Sequence, residues 1–234
     1  VRYVITILLF YLIGNATAQT VSADSIPLDT VRNKFLPTGI RIGTDLISLI
    51  KTQTQDNFSG WEVNADVDFS RYLLEVDYGN WERTYLGDSA SYSNKGSYWR
   101  VGADANFLTT DPERNVFFLG LRYGRSRYSE QMTIISNDSL WGGITKQYAN
   151  NNLTARWFEL TAGLKVKIWT SLWLGFTGRL KFGLKDDESN EMISHDVPGY
   201  GRTDRDTYWG FNYYLLFRIP FRKSVPITPL KKKQ

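Results

Sequence analysis

Between Arg156 and Leu184 apolar and polar residues alternate with a period of two, break off, and alternate again. Phe158, Leu160, Ala162, Leu164, Val166 and Ile168 share one parity, with Glu159, Thr161, Gly163, Lys165 and Lys167 on the other. After Trp169-Thr170-Ser171, the residues Leu172, Leu174, Phe176, Leu180, Phe182 and Leu184 oppose Trp173, Gly175, Thr177, Arg179, Lys181 and Gly183. Successive side chains of a strand point to opposite faces, so the pattern predicts two strands joined by a tight turn. Each has one wholly apolar face and one that is charged, polar or glycine.

The same unit recurs from Gly39 onward. The first strand is predicted from Gly39 to Ile50, with Ile40, Ile42, Thr44, Leu46, Ser48 and Ile50 outward and Arg41, Gly43, Asp45, Ile47 and Leu49 inward. A polar loop from Lys51 to Gly60 follows. The second strand sets Trp61, Val63, Ala65, Val67 and Phe69 against Glu62, Asn64, Asp66 and Asp68, and turns at Ser70-Arg71. The third sends Tyr72, Leu74, Val76 and Tyr78 outward from Glu75, Asp77, Gly79 and Trp81, then enters a loop from Leu86 to Gly96. The fourth opposes Trp99, Val101, Ala103, Ala105 and Phe107 to Tyr98, Arg100, Gly102, Asp104 and Asn106, and Asp111-Pro112 marks the next turn. The fifth starts at Val116, presents Phe117, Leu119, Leu121 and Tyr123 against Phe118, Gly120, Arg122 and Gly124, and fades near Arg127, leaving a long loop to Thr154. A second long loop runs from Lys185 to Arg205. The eighth strand alternates Trp209, Phe211, Tyr213, Leu215, Phe217 and Ile219 with Tyr208, Gly210, Asn212, Tyr214, Leu216 and Arg218.

Eight strands joined alternately by long and short connections match the asymmetry of outer-membrane barrels, whose periplasmic turns are short and outer loops long. The expected fold is therefore all-β, a closed eight-stranded antiparallel up-and-down transmembrane barrel over residues 39–221. Its long connections are the first, third, fifth and seventh, which puts both termini in the periplasm. Trp61, Trp99, Trp157 and Trp209 stand where even-numbered strands leave the outer loops, as an aromatic girdle would. Phe69, Tyr72, Phe107, Phe117, Trp169 and Phe221 mark the other rim. Trp157 alone falls on the inward parity, which implies a lumen cap or a bulge.

Composition narrows the class. A mean hydropathy of −0.34 excludes a bundle of membrane helices and suits a barrel, where only alternate residues meet lipid. Cysteine is absent, which removes disulfides, thiolate metal sites and a cysteine nucleophile. Arg2, the apolar run from Tyr3 to Ile13 and Ala16-Thr17-Ala18 read as a signal peptide over residues 1–18, with an extended periplasmic lead-in over 19–38. The formal charge of +4 first suggests an anionic partner. Much of it sits in a basic tail over 222–234, with Arg222, Lys223, Lys231, Lys232 and Lys233 and no acid, so nucleic acid is not implied.

The inward positions carry eight acids and eight bases. Asp45, Glu62, Asp66, Asp68, Glu75, Asp77 and Asp104 come from the first four strands with Arg41 and Arg100, whereas Arg122, Lys165, Lys167, Arg179, Lys181 and Arg218 come from the last four with Glu159. An eight-stranded barrel is wide enough only for its own side chains. Charges removed from water are tolerated when paired. The expectation is an acidic wall facing a basic wall, a structural plug and not an ion path.

No catalytic, metal or cofactor site is predicted. Ser194, His195 and Asp196 adjoin in a loop, but a triad is defined by geometry and not by adjacency. The acids Asp186, Asp187, Glu188 and Glu191 lack the alternating ligands of a calcium loop. The entry Leu36-Pro37-Thr38-Gly39-Ile40-Arg41-Ile42-Gly43-Thr44-Asp45 and the exit Phe217-Arg218-Ile219-Pro220-Phe221-Arg222 resemble a family of outer-membrane barrels of Bacteroidota, within the OmpA/OmpX type of small barrel. The resemblance implies an outer membrane of a Gram-negative envelope and brings no catalytic residues. The expected role is non-enzymatic: an envelope structural or interaction protein in contact with outer-membrane lipid. Outer loops, lead-in or basic tail would meet any protein partner. A lipid-modifying enzyme acting on lipid A esters and a narrow channel are the alternatives.

Overall fold

The structure is a computed structural model and describes residues 36–69, 71–109, 111, 113–138, 142–186 and 192–221. The signal peptide, most of the lead-in, the basic tail and the loop acids Asp187, Glu188 and Glu191 lie outside the described residues.

The elements run in order: β1 (Gly39–Asp45), α1 (Leu46–Thr54), β2 (Phe58–Phe69), β3 (Tyr72–Leu86), β4 (Ala90–Asn106), β5 (Val116–Asp138), β6 (Gly142–Lys167), β7 (Leu172–Asp186), β8 (Asp196–Val197), β9 (Gly201–Arg202) and β10 (Thr207–Pro220). Each long strand pairs antiparallel with the next, and β1 pairs with both β2 and β10, so eight strands close into a barrel. Closure uses the register Gly39↔Pro220 to Asp45↔Tyr214 on one side of β1 and Gly39↔Asp68 to Thr44↔Val63 on the other. Thr38 extends it, donating its N–H to Asp68 O at 2.7 Å and accepting from Phe221 N at 3.0 Å.

The alternation sorts side chains by face along the paired strands. Leu121, on the outside, is 55% exposed, whereas Arg41, Asp66, Asp77 and Arg179, on the inside, are 0% exposed. Trp61, Trp99 and Trp209 point outward near one end of the wall, and Tyr72, Phe107, Phe117, Trp169 and Phe221 point outward near the other.

Four predicted boundaries move. The first strand ends at Asp45 and not Ile50, because Asp45 caps a helix. Its carboxylate accepts from Ile47 N at 3.3 Å, Ser48 N at 3.1 Å and Ser48 Oγ at 2.6 Å, satisfying donors that a helix start leaves open. The polar loop expected from Lys51 is the end of that helix, and Thr52 Oγ1 fastens it to β2 through Gly60 N and O, both at 2.8 Å. The loop expected from Leu86 to Gly96 is mostly strand, with only Gly87-Asp88-Ser89 between β3 and β4. Nor does β5 stop near Arg127. It continues to Asp138 and pairs with β6 from Gly142 onward, so the predicted long loop is a hairpin. These extensions lie past the apolar wall, where a strand has no reason to keep one apolar face, and the alternation lapses.

Candidate functional site

The lumen is where the parity pattern gathers chemistry, and it is filled in layers. At the turn end Arg218 Nη2 lies 3.5 Å from Asp68, and Arg41 Nε donates to both Asp66 oxygens at 2.8 and 3.0 Å. Lys165 reaches across to Asp66 at 2.6 Å and to Glu75. Arg122 joins Glu75, Asp77 and Asp104 at 3.0, 2.9 and 2.8 Å. In the middle Asp77 accepts from Arg100 at 3.1 Å, Arg122 at 2.9 Å, Arg179 at 3.2 Å and the Asn64 amide at 2.6 Å. Above it Glu159 takes Arg179 at 2.8 Å, and Glu62 takes Arg100.

Neutral groups complete the shell. Tyr98 Oη donates to Glu62 at 2.5 Å, Tyr214 Oη donates to the same carboxylate, and Asn212 accepts from Arg179 Nε at 2.6 Å. Without such donors the carboxylates would keep unpaired oxygens away from water, which costs more than a pairwise ion contact returns. Parity placed Asn64, Tyr98, Asn212 and Tyr214 inside; their part in holding the charges was not legible from it.

Three predicted network members sit elsewhere. Asp45 is inside the wall, but its carboxylate serves α1 and Tyr213 N at 2.9 Å and makes no ion pair among the described residues. Lys167 is at the turn rim, paired with Glu113 at 2.9 Å. Lys181 donates to carbonyls, Gly199 O at 2.8 Å and Tyr200 O at 2.9 Å. The two-wall picture also needs revision. Arg122, Lys165, Arg179 and Arg218 do cross to acids of the other half, yet Arg41–Asp66 and Arg100–Asp77 close within the acidic half and Arg179–Glu159 within the basic one.

Trp157 is no part of an outer girdle. It is 0% exposed and donates Nε1–H to Glu159 at 2.7 Å, closing the loop end of the ion layers. Gly124 opposite makes the room, since a Cβ there would stand 2.3 Å from the indole. The bulge lies in β7: pairing skips from Arg156↔Lys185 to Phe158↔Phe182, and Gly183 adopts φ 64°. That extra residue turns Leu184, expected outside, against the interior cluster of Tyr98, Tyr128, Leu153, Trp157, Val197 and Tyr200.

Val197 and Tyr200 reach that cluster because the loop before β10 folds into the mouth. Its two short strands β8 and β9 pair, and Gly199 turns at φ 85° against the Tyr98 ring. Above the wall the loop is held by Arg83–Asp196 at 3.1 Å and by Glu130, which accepts from Tyr92 Oη at 2.7 Å, Asn150 Nδ2 at 2.9 Å and Ser194 Oγ at 3.2 Å. Burial, and then the hydrogen bond to Glu130, push the Tyr92 phenol above its ordinary value. Burial works against the Arg83 cation, but the Asp196 charge together with the Tyr85 and Tyr208 phenols outweighs it and raises the Arg83 guanidinium above its ordinary value.

Ser194, His195 and Asp196 are not brought together as a triad. Ser194 bonds Tyr128 and Glu130, Asp196 bonds Arg83, and His195 stacks edge-on against Tyr85 and Tyr92 at 5.3 and 5.5 Å. At the turn end two apolar groups close the lumen: Leu73, Val116 and Phe118, and Trp173, Tyr214 and Leu216. Among the described residues no group of His, Asp and Glu side chains could hold a metal ion, and no helix is long and apolar enough to cross a membrane.

Residues 1–224 match the family model described as a domain of unknown function, DUF6048. No curated protein matches the chain in sequence. Among solved structures it is similar to the crystal structure of Acinetobacter baumannii CarO, with 8% identity, a TM-score of 0.40, and coverage of 81% of this chain and 100% of that one.

Proposed function

The chain belongs to the DUF6048 family, and we propose that this member is an outer-membrane barrel with an ion-filled lumen, a non-enzymatic structural or interaction protein of the envelope. One observation carries the reading: the polarity of the barrel is inverted. Charged side chains are buried inside, while Leu74, Val76, Leu121, Leu160 and Phe217 stand exposed around the outside. A continuous apolar wall of this extent costs free energy in water and is stable in hydrocarbon. The closed ring of strand hydrogen bonds meets the other demand of a bilayer, that no backbone group be left unpaired. The short-turn end is assigned to the periplasm and the projecting hairpins to the cell exterior, following the asymmetry of bacterial barrels.

Leu160, between Leu121 and Leu180 near the middle of the wall, tests the insertion. Leu160→Arg is expected to destabilise the barrel folded in lipid vesicles by about 2–4 kcal/mol, read from the urea midpoint. A loss below about 0.5 kcal/mol, the usual scale for a surface change in water, would refute a lipid-facing wall.

With the lumen filled, interaction falls to the projecting hairpins. Thr133 pairs with Gln147, so residues 134–146 can be replaced by a two-residue turn without touching Glu130 or Asn150. The shortened protein is expected to fold and to lose a stoichiometric partner that the intact protein carries through mild-detergent purification. An intact chain that purifies alone would remove the interaction half of the proposal.

A further inference from the structure

Toward the loop end of the apolar wall the outward side chains of β5, β6 and β7 change from apolar to basic. Three rows cross these strands in register. Leu121, Leu160 and Leu180 stand side by side in the first, and Tyr123, Phe158 and Phe182 in the second. The third sets Arg125 opposite Arg156 and Arg156 opposite Lys185. Arg127 follows Arg125 on the same face of β5, two residues further on. Arg127, Arg156 and Lys185 are exposed, and Arg125 is half-buried. Lys185 joins the row because of the bulge at Gly183; unbroken alternation from Arg179 and Lys181 would have turned it into the lumen.

Among the described residues none of these four cations has an ion-pair partner. The neighbouring strands differ. From Arg125 the row continues into β4 and β3 as Trp99 and Tyr78, and the outward Lys95 of β4 is paired with Glu82 at 3.0 Å. Like charges directly opposite on adjacent strands repel. Strands lie about 4.8 Å apart, so Arg125, Arg156 and Lys185 spring from about 10 Å of wall. An anion whose oxygens accept from several of them at once turns that repulsion into binding. The aromatic row beneath sets the level of that anion. Trp99, Tyr123, Phe158 and Phe182 follow one another with ring centroids 5.7, 5.6 and 6.3 Å apart, and such rows mark where acyl chains give way to headgroups. Apolar, aromatic and basic rows in that order on the same three strands match a lipid with phosphate at its head. A soluble anion would need only the last of them.

We propose that the β5–β7 face binds a phosphate of the lipid A headgroup in the outer leaflet, held by Arg125, Arg127, Arg156 and Lys185, with the acyl chains against the leucine row. Three of the four are arginines, whose planar forks match phosphate oxygens in pairs. The inference rests on the reading of the wall as lipid-facing and of the loop end as exterior, and adds which lipid is held and on which side of the barrel.

The test is native mass spectrometry of the purified full chain in non-ionic detergent, titrated with diphosphorylated lipid A and separately with the same lipid stripped of its phosphates. One phosphorylated lipid per chain is expected to bind saturably. Removing its phosphates, or two cations in Arg125→Gln/Arg156→Gln, is expected to weaken binding roughly thirtyfold, the scale for two basic side chains at an anionic membrane surface. Lys95→Gln, which removes a paired cation next to the patch, is expected to bind as wild type does. The double variant relieves repulsion, so its urea midpoint in neutral phosphatidylcholine vesicles is expected to match or exceed that of wild type, which separates lost binding from lost folding. Equal affinity for the two lipids, unchanged affinity in the double variant, or an equal loss in Lys95→Gln overturns the site. Release of bound lipid by millimolar inorganic phosphate would assign a soluble anion and overturn it too. Leu160→Arg reads the wall separately, so a barrel that passes that comparison and shows no preference for phosphate loses this site alone.

Discussion

Asp77→Ala is expected to lower the stability of the folded barrel by about 3–5 kcal/mol. Its Oδ2 accepts from Arg100, Arg122 and Arg179, and its Oδ1 from Asn64. Removing it leaves three buried guanidiniums to share Glu62, Glu75, Asp104 and Glu159. Breaking one partner of a buried ion network costs far more than the network adds relative to apolar filling, because the remaining charges stay out of water unpaired. Asp77→Asn keeps the shape and one acceptor oxygen without the charge, and is expected to fall between wild type and alanine. Urea midpoints in lipid vesicles, followed by tryptophan fluorescence, read both. An alanine variant within about 0.5 kcal/mol of wild type would mean that the layers are not energetically coupled.

Trp157→Ala is expected to cost about 3–5 kcal/mol, the scale for removing a buried tryptophan. Its ring fills the space opposite Gly124, packs edge-on against Tyr200 at 5.9 Å, and gives Glu159 a donor. The cavity left behind would open toward the infolded loop and not through the barrel, because the ion layers and the Leu73, Val116 and Phe118 cluster lie below it. Neither wild type nor variant is expected to pass steady current in planar bilayers. Steady conductance by the wild-type protein would overturn the filled-lumen reading.

Much of this site is legible in sequence because a strand's period is two. Parity alone put Arg41, Asp66, Glu75, Asp77, Arg122, Lys165 and Arg179 on one face, and the structure finds those side chains buried together. Parity failed where the chain had another reason for its pattern. After Asp45, the residues Leu46, Ile47, Leu49 and Ile50 recur at one-, three- and four-residue spacings, which is helical, and Asp45 is a favoured capping residue. The signal was present; continuing the strand overrode it.

Lys181 and Asp45 mark a different limit. Both sit on the inward face, yet they bond largely to local or loop backbone: Lys181 to the carbonyls of Gly199 and Tyr200, and Asp45 to the first amides of α1 and the Ser48 hydroxyl. Trp157 shows the converse, a residue placed by a plausible series of tryptophans when its own parity pointed inward.

Along the regular wall strands the sequence by itself determined which residues face in, which face out, and that charge of both signs is gathered inside, because those follow from local geometry and from the cost of placing charge on an apolar wall; the facing of Leu184 past the β7 bulge and of residues 46–50 in α1 did not follow from it. Only the tertiary structure decided which charges pair, how far the hairpins run past the wall, and that the loop before β10 closes the mouth. Those outcomes depend on the stagger between strands far apart in the chain and on side-chain reach across the lumen, as with Lys165 on β6 meeting Asp66 on β2 and Glu75 on β3. A period of two carries no information about either.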